Sequence, residues 1–158
     1  NLWSHSHHMR INKLTDYSIV IMANMVINNE KNIHTAKGLS EKTEIPLPTV
    51  TRVLKMLSNK KLLDSQRGPQ GGYSLIRSSQ EISVADVIEA MEGAISLTEC
   101  SSDDCHCSYE NICDVGKPWQ KINKAIRKVL GNISLDDMVN KDENKGLLQL
   151  TSITEGRF

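Results

Sequence analysis

Aromatic residues are scarce: two Trp, three Tyr and one Phe make up 4% of the 158 residues. A core must therefore be built from aliphatic side chains, and dimerisation is one route to burying apolar surface that the fold itself leaves out. Long apolar runs are also missing. The longest, Ile19 to Ile27, is interrupted by Asn24 and is less than half of the roughly 20 residues needed to span a bilayer. No basic stretch followed by an apolar run opens the chain, so a secretory signal is not expected. These absences predict a cytoplasmic protein without membrane association. A C-x-x-C pair is lacking too, and no residues for handling a substrate stand out, which argues against a thiol redox enzyme and against an enzyme in general.

Net charge is formally zero and excludes nothing, but its distribution is uneven. Residues 9–79 hold 11 Lys and Arg against 5 Asp and Glu, whereas residues 80–158 hold 8 against 14. A basic first half and an acidic second half is the pattern expected when only the first half meets a polyanion.

The length suits one compact domain with an appendage. Asn1 to His8, with Trp3, His5, His7 and His8 ahead of Met9, are read as a cloning remnant. A helix is expected over Thr15–Asn28, capped by Thr15 or Asp16. Thr35 should cap a short helix, Ala36–Thr43, and Pro48 suits the first turn of a third. In that third helix Val50, Val53, Leu54 and Leu57 fall at i, i+3, i+4 and i+7. Thr49, Thr51, Arg52 and Lys55 take the other face. Lys60–Ser65 and Tyr73–Ile76 read as two strands around the Gly-rich turn Arg67–Gly72. Ser83, with Asp86 three residues on, signals a capping box for a helix with Val84, Val87, Ile88 and Met91 on its apolar face. From Pro118 a helix should carry Trp119, Ile122, Ile126 and Val129 on one stripe, and Ser134 caps a last short helix, Leu135–Val139.

Two short helices, a turn and a hairpin form the layout of a winged helix-turn-helix, so the fold class is mainly α with a small β-hairpin, plus a long helix from Pro118. Residues 9–91 are expected to form the DNA-binding domain, 92–116 a cysteine loop, 117–139 the long helix and a short terminal one, and 140–158 a mobile tail. Arg52 suits a bidentate contact to guanine, while Thr49 and Thr51 suit phosphates or a thymine methyl. Pro48 and Lys55 flank them. At the wing tip, Arg67 beside Gly68 and Gln70 can approach a backbone or a narrow minor groove. Tyr73 and Gly72 are assigned to packing and turn geometry. Any one of these residues alone would read as part of a solvated surface; the wing and the local basic excess together point to double-stranded operator DNA.

All four cysteines lie within 14 residues, as Cys100-x4-Cys105-x-Cys107-x5-Cys113, with His106 between two of them. Structural disulfides are rare in the cytosol, so this density points to metal. Thiolates suit zinc and iron–sulfur clusters alike. Zinc sites usually pair their cysteines at C-x2-C spacing, and the longer gaps here suit a loop around a larger group; a zinc-stapled loop, a redox disulfide and reactive thiols without metal stay open. The acidic residues Asp103, Asp104, Glu110 and Asp114 suggest an exposed site.

The segments Met9–Tyr17, Arg67–Tyr73, Ile82–Glu89 and Leu97–Cys100 resemble the Rrf2 family of bacterial transcription regulators, some of which carry iron–sulfur clusters and some of which sense nitric oxide. Cys107-x5-Cys113 followed by Pro118–Arg127 is similar to the branch that regulates SUF-system iron–sulfur cluster assembly. The likeness runs from Met9 to about Val139. It implies a homodimer joined through the Pro118–Leu130 helix, and a two-iron or four-iron cluster on three cysteines. Matching that branch selects Cys100, Cys107 and Cys113, with Cys105 as the alternative. A histidine found in another branch three residues after the last cysteine is here Gly116. The resemblance then offers Asp16 of the partner chain, Cys105 or His106 as fourth ligand, though His106 also reads as an exposed loop histidine. It further implies a repressor of cluster-assembly genes, with a nitric-oxide or redox sensor, or a zinc-structured DNA-binding protein, as alternatives.

Overall fold

The computed structural model describes residues 11–29, 32–95 and 116–140. Six helices and one hairpin are found among them: α1 (Lys13–Ile27), α2 (Ala36–Thr43), α3 (Leu47–Asn59), β1 (Leu63–Gln66), β2 (Gly72–Leu75), α4 (Val84–Glu92), α5 (Gly116–Gly131) and α6 (Leu135–Val139). The fold is thus mainly helical with a two-stranded antiparallel hairpin. The expected remnant at residues 1–8, residues 96–115 of the expected cysteine loop and all but the first residue of the expected tail lie outside the described residues.

Helix α1 starts earlier than its sequence suggests. Asn12 is the cap, accepting from the Leu14 N–H. Thr15, one of two expected caps, is fully buried inside the helix, and its hydroxyl donates to Glu92 Oε1 at 2.6 Å. Asp16 is helical and exposed. Thr35 caps α2 as expected, accepting from Gly38 N–H. A Cβ on Gly38 would lie 3.1 Å from the Thr35 hydroxyl, so the cap accounts for a glycine that otherwise weakens a helix.

Helix α3 begins at Leu47 with Pro46 as cap residue and Pro48 in its first turn. Val50, Val53, Leu54 and Leu57 are all fully buried against Ile21, Met22 and Met25 of α1 and Leu39 of α2, within one aliphatic core. The first strand differs from expectation. Lys60 closes α3, its N–H on Met56 O, and Lys61 takes a left-handed φ of 59°. Pairing therefore begins at Leu63, opposite Leu75, and ends at Gln66 opposite Gly72. The wing gains a third partner that the sequence pattern did not show. His34 and Tyr73 exchange both backbone hydrogen bonds at 2.8 Å. A Cβ at Gly72 would come within 2.5 Å of the His34 carbonyl, which is why glycine stands there.

The capping box of Ser83 and Asp86 is present at α4. Ser134 and Asp137 form a second one at α6. The two helix starts are stitched together: Val84 N–H donates to Ile133 O and Leu135 N–H to Ile82 O, both at 2.8 Å. Fully buried Leu135 thus joins the core, and α6 packs on α1. Helix α5 starts two residues before Pro118 and rests on α4. Arg127 Nε lies 2.6 Å from Glu89 Oε1, and Asn123 Nδ2 donates to the Ile95 carbonyl at 2.7 Å.

Candidate nucleic-acid interface

The buried side of α3 fixes which of its residues face outward. Thr51, Arg52 and Lys55 are exposed along one side, together with Leu47 and Pro48 at the amino end; Thr49 is half-buried. The Thr51 hydroxyl donates to the Leu47 carbonyl at 2.9 Å. Its proton is committed to the helix, so outward it offers a lone pair and its methyl group. Among the described residues neither Arg52 nor Lys55 has a carboxylate partner. A helix face with uncompensated cations suits phosphates and guanine edges.

The wing tip is built for a tight reversal. Gly68 has φ 110°, a conformation other L-residues avoid, and the Gly71 N–H closes the turn on Gly68 O at 2.9 Å. A side chain at Gly71 would run into the Gln66 carbonyl. Arg67, Gly68, Pro69 and Gln70 are all exposed on this turn, and Arg67 also lacks a described carboxylate partner. The structure thus brings the expected residues, half-buried Thr49 excepted, into two exposed groups, one on α3 and one on the wing. Sequence reasoning missed Leu47. Between two prolines it reads as part of a turn, yet it is 43% exposed at the first position of α3.

The cysteines Cys100, Cys105, Cys107 and Cys113, and His106, lie outside the described residues. Both borders of their segment are described. Ile95 on one side is bonded to Asn123 of α5 on the other. Three residues before Ile95, Glu92 accepts from Asn12 N–H at 2.8 Å and from the Thr15 hydroxyl. The root of the cysteine segment is therefore fastened to the start of α1, one residue from Asp16. Among the described residues no three His, Cys, Asp or Glu side chains gather into a metal-binding group, and no helix is long and apolar enough to cross a membrane.

A helix pair whose second member presents an exposed basic face, followed by a glycine-tipped hairpin, defines a winged helix-turn-helix DNA-binding protein. The chain belongs to the Rrf2 family: the family model, described as an iron-dependent transcriptional regulator, matches residues 11–141. It is 29% identical over 135 residues to the HTH-type transcriptional regulator IscR of Pectobacterium carotovorum, covering 85% of this chain and 82% of that one. Its fold is similar to that of CymR, the global cysteine regulator of B. subtilis, with TM-score 0.66, 24% identity and coverage of 84% and 97%. It is likewise similar to IscR of T. potens, with TM-score 0.62, 24% identity and coverage of 85% and 89%. The protein is a transcriptional regulator, and these relatives are regulators rather than enzymes.

Proposed function

We propose that the chain is a dimeric repressor whose operator affinity is set by an iron–sulfur cluster on Cys100, Cys107 and Cys113, with cluster-assembly genes as its targets. The observation that carries this reading is the fastening of both borders of the cysteine segment to the reading head, through Glu92 to α1 and through Asn123 and Arg127 of α5 to Ile95 and to Glu89 of α4. Helix α4 in turn packs on α3. The family's description as iron-dependent and four thiols within 14 residues support iron as the group they hold. A thiolate set fits such a cluster, and the cluster would supply a group that iron supply or oxidants can add and remove.

On this reading α5 joins two subunits through its apolar stripe and sets two α3 helices about 34 Å apart, one DNA turn. Ordering of the cysteine segment is felt at α4 and hence at α3. A 100-fold change in operator affinity corresponds to about 2.7 kcal/mol of coupling, within reach of a ligand whose loss releases both borders of a segment. Asp16 of the partner chain is the fourth-ligand candidate, with Cys105 the alternative thiolate. Arg52, Lys55 and Thr51 read the major groove, with Thr49 and Pro48 at its edge, while Arg67, Gly68 and Gln70 follow the backbone.

The test is the visible spectrum and iron content of the full chain purified without oxygen, beside Cys113→Ala. Broad sulfide-to-iron bands in the parent and their loss in the variant are expected. A colourless parent holding stoichiometric zinc, even after treatment with iron and sulfide, would replace the sensor with a zinc-structured DNA-binding protein. A coloured Cys113→Ala that still switches would overturn the ligand assignment.

A further inference from the structure

We infer that Leu47 is a specificity residue that reads the 5-methyl group of a thymine in each operator half-site. This rests on the reading of α3 as the groove-reading helix. In such helices the first residues are the ones that reach base edges, and in α3 those are Leu47 and Pro48. Both are exposed although the core sits directly behind them: Ile45 and Val50, on either side, are buried. A leucine 43% exposed at this end is not needed by the fold.

The chemistry of the end narrows what it can bind. A helix amino terminus ordinarily offers free N–H groups to a phosphate, but here Pro48 has none and the Thr49 N–H is turned onto the Pro46 carbonyl at 2.9 Å. No side chain caps the helix. One turn on from Leu47, at i+4, stands Thr51, whose hydroxyl proton is bound to the Leu47 carbonyl, so its exposed part is methyl and lone pair. Leu47, Pro48 and the Thr51 methyl make an apolar end to a helix face that turns cationic at Arg52 and Lys55. The cations hold the face against polyanionic DNA, and the apolar end meets the one apolar group displayed in the major groove, the thymine methyl.

Burying one methyl is worth about fourfold in affinity per half-site, at about 0.8 kcal/mol per carbon and 1.4 kcal/mol per tenfold. The experiment selects duplexes from a random library with the full-length protein. It then measures affinity for the selected duplex with each thymine replaced in turn by uracil, which removes only the methyl. Wild type, Leu47→Ala and Arg52→Ala are compared. One uracil position per half-site should weaken wild-type binding about fourfold and leave Leu47→Ala unchanged, a double-mutant cycle that isolates the pair. Because that DNA change leaves the protein intact, a folding defect in the variant cannot imitate the result. If no uracil position matters, or if the losses in the variant equal those in wild type, the inference fails. If Arg52→Ala still loses affinity in that case, α3 remains the reading helix; if Arg52→Ala binds as wild type does, the placement of α3 in the groove fails with it.

Discussion

In the head of the molecule, α1, α2, α3 and α4 each turn fully or nearly fully buried aliphatic side chains onto a shared core, from Ile21 and Met22 through Leu39 and Leu54 to Val87. Helix α5 does the opposite. Among its described side chains only Asn123 is buried, and Trp119 and Ile122 stand 38% and 44% exposed. Both regions have the spacing of amphipathic helices, so pattern alone does not distinguish a helix that completes its own subunit from one that keeps an apolar face outward. The difference lies in what receives the face. The head's stripes meet one another, whereas α5 is held by an ion pair and a side-chain hydrogen bond at its polar residues, which leaves its stripe for another surface. On the proposed reading that surface is a second α5.

The sharpest way to break this comparison is Ile122→Asp. If α5 pairs with its copy, a buried charge should separate the subunits and remove two-site binding, lowering operator affinity by about 100-fold or more. The head should stay folded, with helical circular dichroism retained. Sedimentation of the variant as a dimer would place the interface elsewhere.

Leu54→Ala tests the other half of the contrast. Leu54 is fully buried, and truncation of such a side chain costs about 2–5 kcal/mol. Urea denaturation of the variant should show that loss, whereas Ile122→Ala, read in the dissociated protein, should show little. Equal losses at the two positions would mean that α5 is as much a part of the core as α3. Arg67→Ala touches neither core nor stripe. It should weaken operator binding by about 1–3 kcal/mol if it reads a base, or uniformly and with a salt slope smaller by about one if it holds a phosphate. Unchanged affinity at physiological salt would remove the wing from the interface.

Much of the head was legible because its signals are local. The Val50–Leu57 stripe, the capping of α2 by Thr35 and of α6 by Ser134, and the serine–aspartate box at α4 each need only a few neighbouring residues. The misses are contacts between distant ones. Thr15 looks like a helix cap, but its hydroxyl is taken by Glu92, 77 positions away, so the helix starts at Asn12 instead. The His34–Tyr73 bridge involves a single residue pair and leaves no alternation to detect. Leu47 sits between prolines that signal a turn, and its exposure follows only from how α3 packs.

The smallest expected effect bears most directly on how the two regions communicate. Arg127 is 61% exposed and Glu89 25%, so solvent screens much of their attraction, and the pair should be worth about 0.2–1 kcal/mol. A double-mutant cycle of Arg127→Ala and Glu89→Gln, followed by urea denaturation of the cluster-free protein, should give a coupling in that range. Its importance would lie in transmission rather than stability, because the pair ties α5, beyond the cysteine segment, to α4, which packs on the reading helix. If the proposed cluster sets operator affinity, the affinities with and without it should therefore differ less in Arg127→Ala than in the parent, although both proteins unfold at nearly the same urea concentration. A full response in Arg127→Ala would leave the Glu92 link to α1 as the route. A coupling well above 1 kcal/mol would instead make α5 a structural part of the head and remove the distinction between the two regions.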